Sequence, residues 1–181
     1  SGARELEGLP EYVETAFGEP AGTAVVTEND VRFEVPLAGG QKTGWFYDQA
    51  YNRRALLKYV RGLRVLAVFS YLGAWGLAAA RAGATEVVCV DSSASALEAL
   101  QRAAELNGLA QVRTIRDDAF DALAALRAAG EKFDVVVIDP PAFIKRRKDI
   151  PKGQAAYRKL NQMAMQLLPR DGILVSCSCS H

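Results

Sequence analysis

From Gly62 to Ser178 the chain repeats a single pattern. A short, almost unbroken apolar run is followed by a polar or glycine-containing turn and then by a stretch with helical periodicity. The apolar runs predict strands over residues 63–69, 86–90, 112–115, 133–138 and 172–178. The intervening stretches predict helices over 75–82, from Ser92 or Ser93 to 106, over 119–129 and over 152–168. Gly83, Asn107-Gly108 and Gly130 mark where the first three of these helices stop. Strands apolar on both faces, alternating with helices, specify a parallel sheet covered on both sides. Right-handed crossovers then make it a doubly wound, Rossmann-like α/β fold.

The first sixty residues break this pattern. Two β-rich runs, 23–27 and 31–37, flank Glu28-Asn29-Asp30, which predicts a β-hairpin. A helix begins near Asp48, covers 51–60 and ends at Gly62. Residues 1–61 therefore read as the tail of another domain plus a lead-in helix. A length of 181 residues suits one domain with a small appendage. Half of the residues are hydrophobic, enough for a core, which excludes intrinsic disorder. No apolar run reaches membrane-spanning length, and the charged N-terminus has no signal-like apolar segment. A net charge of +1 excludes polyanion binding driven by overall charge, which leaves local basic patches. The three cysteines are odd in number, with 177 and 179 in one strand-like run, so they read as reduced thiols of a cytoplasmic protein. The last predicted strand runs almost to His181. Such an uncovered edge predicts either a fragment or a partner, a homodimer through that edge included.

In a doubly wound sheet the ligand lies beyond the carboxyl ends of the strands. Those ends carry Phe69, Ser70, Tyr71 and Gly73, then Asp91 and Ser92, then Asp117, Asp118 and Ala119, then Asp139-Pro140-Pro141-Ala142-Phe143. The first turn has only Gly73 and Gly76, with bulky Tyr71, Leu72 and Trp75 between and around them. A pyrophosphate cradle needs bare backbone, so a dinucleotide is disfavoured, and a dehydrogenase with it. A phosphate-free nucleoside fits better. Asp91 would accept both ribose hydroxyls, with Ser92 or Ser93 capping the next helix. Asp118 would either accept from an adenine amino group or only cap its helix. S-adenosylmethionine has this shape of adenine, ribose and zwitterionic tail.

The residues from Gly39 through Gly40, Gln41, Lys42, Thr43, Gly44, Trp45, Phe46, Tyr47, Asp48 and Gln49 form one motif. Together with Phe69-Ser70-Tyr71, Gly73, Asp91, Asp117-Asp118-Ala119-Phe120, Asp139-Pro140-Pro141-Ala142-Phe143 and Ser178-Cys179-Ser180, it resembles the class I S-adenosylmethionine-dependent ribosomal RNA large-subunit methyltransferases. The 5-methylcytosine branch is the nearest. The resemblance implies a cytoplasmic enzyme acting on ribosomal RNA. It also implies an RNA-binding PUA domain, a central α/β domain whose end is residues 1–38, and a main, catalytic domain, 39–181, that is C-terminally incomplete here, its final strands absent. Ala67 stands where that family carries an acidic residue or Asn, and Leu72 where Thr is common.

Within the resemblance, Gln49 approaches the cofactor tail, its alternative being a helix N-terminal contact. Methylation at carbon 5 of cytosine needs a thiolate added at carbon 6. Cys179 lies at the right end of the sheet and matches the motif cysteine. Cys89 and Cys177 read as plain buried thiols. Asp139 would hold the base, and Phe143 would stack on it. Lys145, Arg146, Arg147 and Lys148 follow directly and suit RNA phosphates, with Arg53, Arg54 and Lys58 extending the patch. Trp45, Tyr51 and Tyr157 read as packing residues. Cys177, Cys179 and His181 share one side of a strand but lack a fourth ligand, so no metal is expected. Two alternatives remain: a nitrogen-directed nucleic-acid methyltransferase using the Asp-Pro-Pro motif, and a non-catalytic cofactor- or RNA-binding module.

Overall fold

The computed structural model describes residues 8, 17–18, 22–37 and 44–179. Gly39 to Thr43 of the first motif, Ser180 and His181 lie outside the described residues. An antiparallel hairpin comes first, β1 (Thr23–Glu28) and β2 (Val31–Pro36). Its turn residues Asn29 and Asp30 have φ of 51° and 59°, the paired left-handed conformation of a type I′ turn. Asn and Asp are the non-glycine residues that tolerate it best. A short helix α1 (Ala50–Leu56) leads into the repeat. The repeat runs β3 (Arg64–Val68), α2 (Ala74–Arg81), β4 (Glu86–Asp91), α3 (Ala94–Leu106), β5 (Val112–Arg116), α4 (Ala119–Ala128), β6 (Val135–Ile138), α5 (Ile150–Gln166) and β7 (Ile173–Ser176).

The five strands of the repeat form one parallel sheet in the order β5-β4-β3-β6-β7. The order reverses at β3, which is the switch point where such sheets bind ligands. Val68 pairs with Val90 and with Ile138, and Ile138 with Ser176. The central strand ends are therefore level, and the loops after them meet along one edge.

Strand alternation divides the core in two. Val65, Ala67, Val87, Cys89, Val135 and Val137 face α2 and α3. Leu66, Val68, Val88, Val90, Val136 and Ile138 face α4 and α5. The hairpin joins the first layer through Val31, Phe33 and Val35, the buried face of β2. Asn107, just past α3, fixes it there. Its side-chain oxygen accepts from the Arg32 N–H at 3.0 Å, and its amide donates to the Arg32 carbonyl at 2.8 Å.

The last described strand is shorter than the apolar run predicts. β7 ends at Ser176, and the final ladder bond runs from the Cys177 N–H to the Ile138 carbonyl at 2.9 Å. Residues 177–179 lie past the sheet. α5 begins two residues earlier than the periodicity suggests, with Pro151 in its first turn, where a missing N–H costs nothing.

Candidate active site

The loop after β3 is tightly wound. Phe69, Tyr71 and Gly73 have φ of 61°, 48° and 86°. Two non-glycine residues in this region cost about 1–3 kcal/mol each, a strain that clusters at functional sites. The Ser70 N–H donates to the Val90 carbonyl, and the Gly73 N–H to the Ser70 carbonyl. Ser70 is buried, and among the described residues its hydroxyl has no hydrogen-bond partner. Gly73 and Gly76 serve packing. A Cβ on Gly73 would lie 2.6 Å from Leu100 Cγ, and one on Gly76 would collide with Cys89 Sγ. Neither glycine clears space for a pyrophosphate.

Asp91 closes this loop from the neighbouring strand. Its Oδ2 accepts from the Tyr71 N–H at 2.8 Å, and its Oδ1 from the Ser93 N–H at 2.9 Å. Each oxygen keeps a lone pair for a further donor. Ser93, not Ser92, caps α3, its hydroxyl accepting from the Ala96 N–H. Ser92 is exposed beside it. Asp118 caps α4, accepting from the Phe120 N–H at 2.8 Å, and buried Ala119 follows as the first helical residue. The Gln49 side-chain oxygen accepts from Asn52 at 2.9 Å, a contact at the start of α1. Residues 44–46 fold against the β3 loop. Phe46 meets Tyr71 edge-on, with centroids 5.7 Å apart, and the Tyr71 hydroxyl donates to the Gly44 carbonyl.

The other half of the edge gathers around Asp139. Its Oδ2 accepts from Trp75 Nε1 at 3.0 Å. Beyond the two prolines, Phe143 sits in an aromatic group, 4.7 Å from Tyr157 and 6.3 Å from Phe69 between centroids. Gly153 of α5 lets this loop lie close, because a Cβ there would collide with Ile144 and stand 3.1 Å from the Phe143 carbonyl. Cys179 is exposed, and its thiol donates to the Pro140 carbonyl at 3.6 Å. Cys89 is fully buried, which pushes its thiol up to about 12. Burial also pushes the Cys177 thiol up to about 12, with the Asp139 charge and a hydrogen bond to Asp139 adding to it.

Lys145, Arg146, Arg147 and Lys148 are exposed next to this loop. Arg54 and Lys58 are exposed on the lead-in helix, but Arg53 is not part of any surface patch. It is 2% exposed and pairs with Glu28. Tyr51 also departs from expectation. It faces outward, 82% exposed, whereas Trp45 is buried against Phe33. Among the described residues no group of His, Cys, Asp and Glu has a metal-holding arrangement, and no helix is long and apolar enough to cross a membrane.

A family model described as S-adenosylmethionine-dependent methyltransferase matches residues 10–180. The chain belongs to that family. Curated relatives called ribosomal RNA large subunit methyltransferase I are 43% identical in Aeromonas salmonicida and 39% identical in Serratia proteamaculans. Each match covers 98% of this chain and 46% of the relative, so the chain spans about half their length. Among solved structures, a methyltransferase complexed with SAH superposes with a TM-score of 0.77 at 30% identity, over 88% of this chain and 43% of that one. A SAM-dependent methyltransferase from Agrobacterium tumefaciens superposes at 0.75 and 25% identity, over 91% of this chain and 56% of that one.

The residues at the strand ends fit the cofactor of that family. Among the described residues the buried Ser70 hydroxyl has no partner, as expected beside a polar ligand. Asp91 stands at the adjacent strand end with acceptor capacity to spare. The residue that sequence reasoning missed is Trp75. It reads as mere bulk in a turn, although a buried indole N–H needs a partner, and that requirement was the available signal.

Proposed function

We propose that this methyltransferase modifies carbon 5 of a cytosine in large-subunit ribosomal RNA, through a covalent adduct on Cys179. One observation carries the reading: of the three thiols only Cys179 is exposed, and it rests on the Pro140 carbonyl of the Asp139-Pro140-Pro141 loop. The relatives' names supply the RNA class.

Ser70, Tyr71, Asp91 and Asp118 would hold S-adenosylmethionine, with Phe69, Gly73, Ser92, Ala119 and Gln49 around it. When bound, it supplies a methyl group on a sulfonium, for which carbon 5 is the acceptor. Cys179 loses its proton to water, and the thiolate adds to carbon 6; the carbon 5–carbon 6 π pair moves to carbon 5 and makes it electron-rich. Asp139 orients the base through its amino group or protonated ring nitrogen. Once carbon 5 carries the new methyl, a base removes the remaining carbon 5 proton. The carbon 5–carbon 6 double bond re-forms, and the thiolate leaves. Pro140 and Pro141 have no N–H and keep the loop extended beside the thiol. Lys145, Arg146, Arg147 and Lys148 offer contacts to the flanking phosphates.

The test is transfer of labelled methyl from S-adenosylmethionine to large-subunit ribosomal RNA, followed by nucleoside mass spectrometry. The expected product is 5-methylcytidine. Cys179→Ser should abolish it, and RNA containing 5-fluorocytidine should stay bonded to the wild-type protein, because fluorine cannot leave as a proton does. Turnover by Cys179→Ser, or a product methylated on nitrogen, would overturn the covalent route.

A further inference from the structure

One group with no part in the proposed chemistry reaches the Asp139 carboxylate. Trp75 donates to it from the first turn of α2. We infer that Trp75 is a positioning residue: it holds Asp139 by one carboxylate oxygen and so leaves the other for the target base. The inference rests on the reading above, in which Asp139 faces the base.

The packing explains how a residue on α2 reaches across to β6. α2 is poor in bulk where it meets the sheet. Gly76 sits against Cys89 Sγ, and its Cβ position is 3.8 Å from Ala67 Cβ. A helix this close to the sheet brings its first turn over the end of β3. β3 and β6 are neighbours, with Val68 opposite Ile138, so Asp139 emerges directly beside that turn. Trp75 is 5% exposed, and its N–H is spent on Asp139. A carboxylate is the strongest acceptor it can meet there. Phenylalanine would fill the same slot without supplying a donor. Asp139 would then lose its indole donor.

Cys177 does not compete for the base. Burial, with the Asp139 charge, pushes its thiol up to about 12, whereas Cys179 is the exposed thiol of the two.

Trp75→Phe retains an aromatic ring and removes the donor. On the whole chain, kcat for methyl transfer to ribosomal RNA should fall about tenfold, with KM for S-adenosylmethionine unchanged. A second measurement does not depend on turnover. The sequence has two tryptophans, and Trp45 donates to Glu28. The indole N–H resonance that disappears in Trp75→Phe belongs to Trp75, and in Asp139→Ala it should move while that of Trp45 stays. A folded Trp75→Phe with wild-type kcat overturns the inference, and so does a Trp75 resonance indifferent to Asp139. If Trp75→Phe fails to fold, Trp45→Phe assigns the remaining indole resonance to Trp75, and its response to Asp139→Ala decides. A wild type inert on all ribosomal RNA overturns the functional reading alone, because the resonance still reports whether Trp75 holds Asp139.

Discussion

Arg53 and Glu28 meet across the seam between the hairpin and the lead-in helix, with the guanidinium forked over both carboxylate oxygens. Arg53 Nη2 donates to Glu28 Oε2 at 2.7 Å, and Nε donates to Oε1. Arg53 also donates to the Phe46 carbonyl, and Trp45 Nε1 donates to Glu28 Oε2 at 3.1 Å. The network ties β1, the 44–46 segment and α1 together, next to the loop that carries Tyr71. Removing one partner would strand the other charge in a largely dry place. Arg53→Ala should cost about 3–5 kcal/mol in urea unfolding.

The same pair gives the fold an acid dependence. Burial by itself would raise the Glu28 carboxyl, but the hydrogen bonds from Arg53 and Trp45 and the Arg53 charge outweigh it and hold the group below its ordinary value. In the unfolded chain Glu28 titrates in the usual range. Its contribution is therefore complete above that range and is lost as pH falls through the lower, folded value. The stability gap between wild type and Glu28→Gln should be widest near neutral pH and shrink as the pH falls below the ordinary carboxylate range. A gap that stays constant across that range would mean Glu28 stabilises by packing alone.

Gly76 tests the close approach of α2 to the sheet. On an open helix, Gly→Ala stabilises by about 1 kcal/mol. Here the new methyl would strike Cys89 Sγ and stand 3.2 Å from Val87 Cγ1, both in the sheet. Overpacking of this kind costs about 1–3 kcal/mol, so Gly76→Ala should be net destabilising. Cys89→Ala should recover part of that loss, and a double-mutant cycle by urea unfolding reads the coupling. Additive effects would show that helix and strand are not in contact there.

The parallel sheet was legible because each strand is an apolar run bounded by a turn, and the hairpin because Asn29-Asp30 suits a left-handed pair. The strand ends were legible in turn, since topology sends them to one edge. What escaped were partnerships between distant side chains. Nothing local marks Arg53 as inward, because its partner Glu28 lies on another element. Trp75 and Asp139 are 64 residues apart and are joined only by the adjacency of β3 and β6. Tyr51 points outward because Arg53 and Leu56 take the buried side of α1. The choice of Ser93 over Ser92 as cap was also a matter of backbone geometry, since Asp91 needs the Ser93 N–H.

Asp91 and Asp118 should separate in cofactor binding. Asp91 accepts one backbone N–H on each oxygen, so an amide in its place would set its NH2 against either Tyr71 or Ser93. Asp91→Asn should weaken S-adenosylmethionine binding at least about tenfold by calorimetry. Asp118 is exposed and caps α4, a task Asn performs equally well. Asp118→Asn should therefore leave the fold intact and weaken binding less than Asp91→Asn does. The reverse order would place the main grip on the nucleoside at Asp118.

The three thiols should react in a fixed order with iodoacetamide. Alkylation needs both access and thiolate. Cys89 has neither, being fully buried with its thiol pushed up to about 12. Cys177 is half-buried beside the negative charge of Asp139, which together also push it up to about 12. Cys179 is exposed, and its hydrogen bond to the Pro140 carbonyl is a long one. Peptide mapping after brief alkylation of the folded protein should therefore find the label on Cys179, with Cys177 following slowly and Cys89 reacting only after unfolding. Asp139→Asn removes the charge facing Cys177 and should speed that second site alone. Should Cys177 react ahead of Cys179 in the wild type, the role of nucleophile would pass from Cys179 to Cys177.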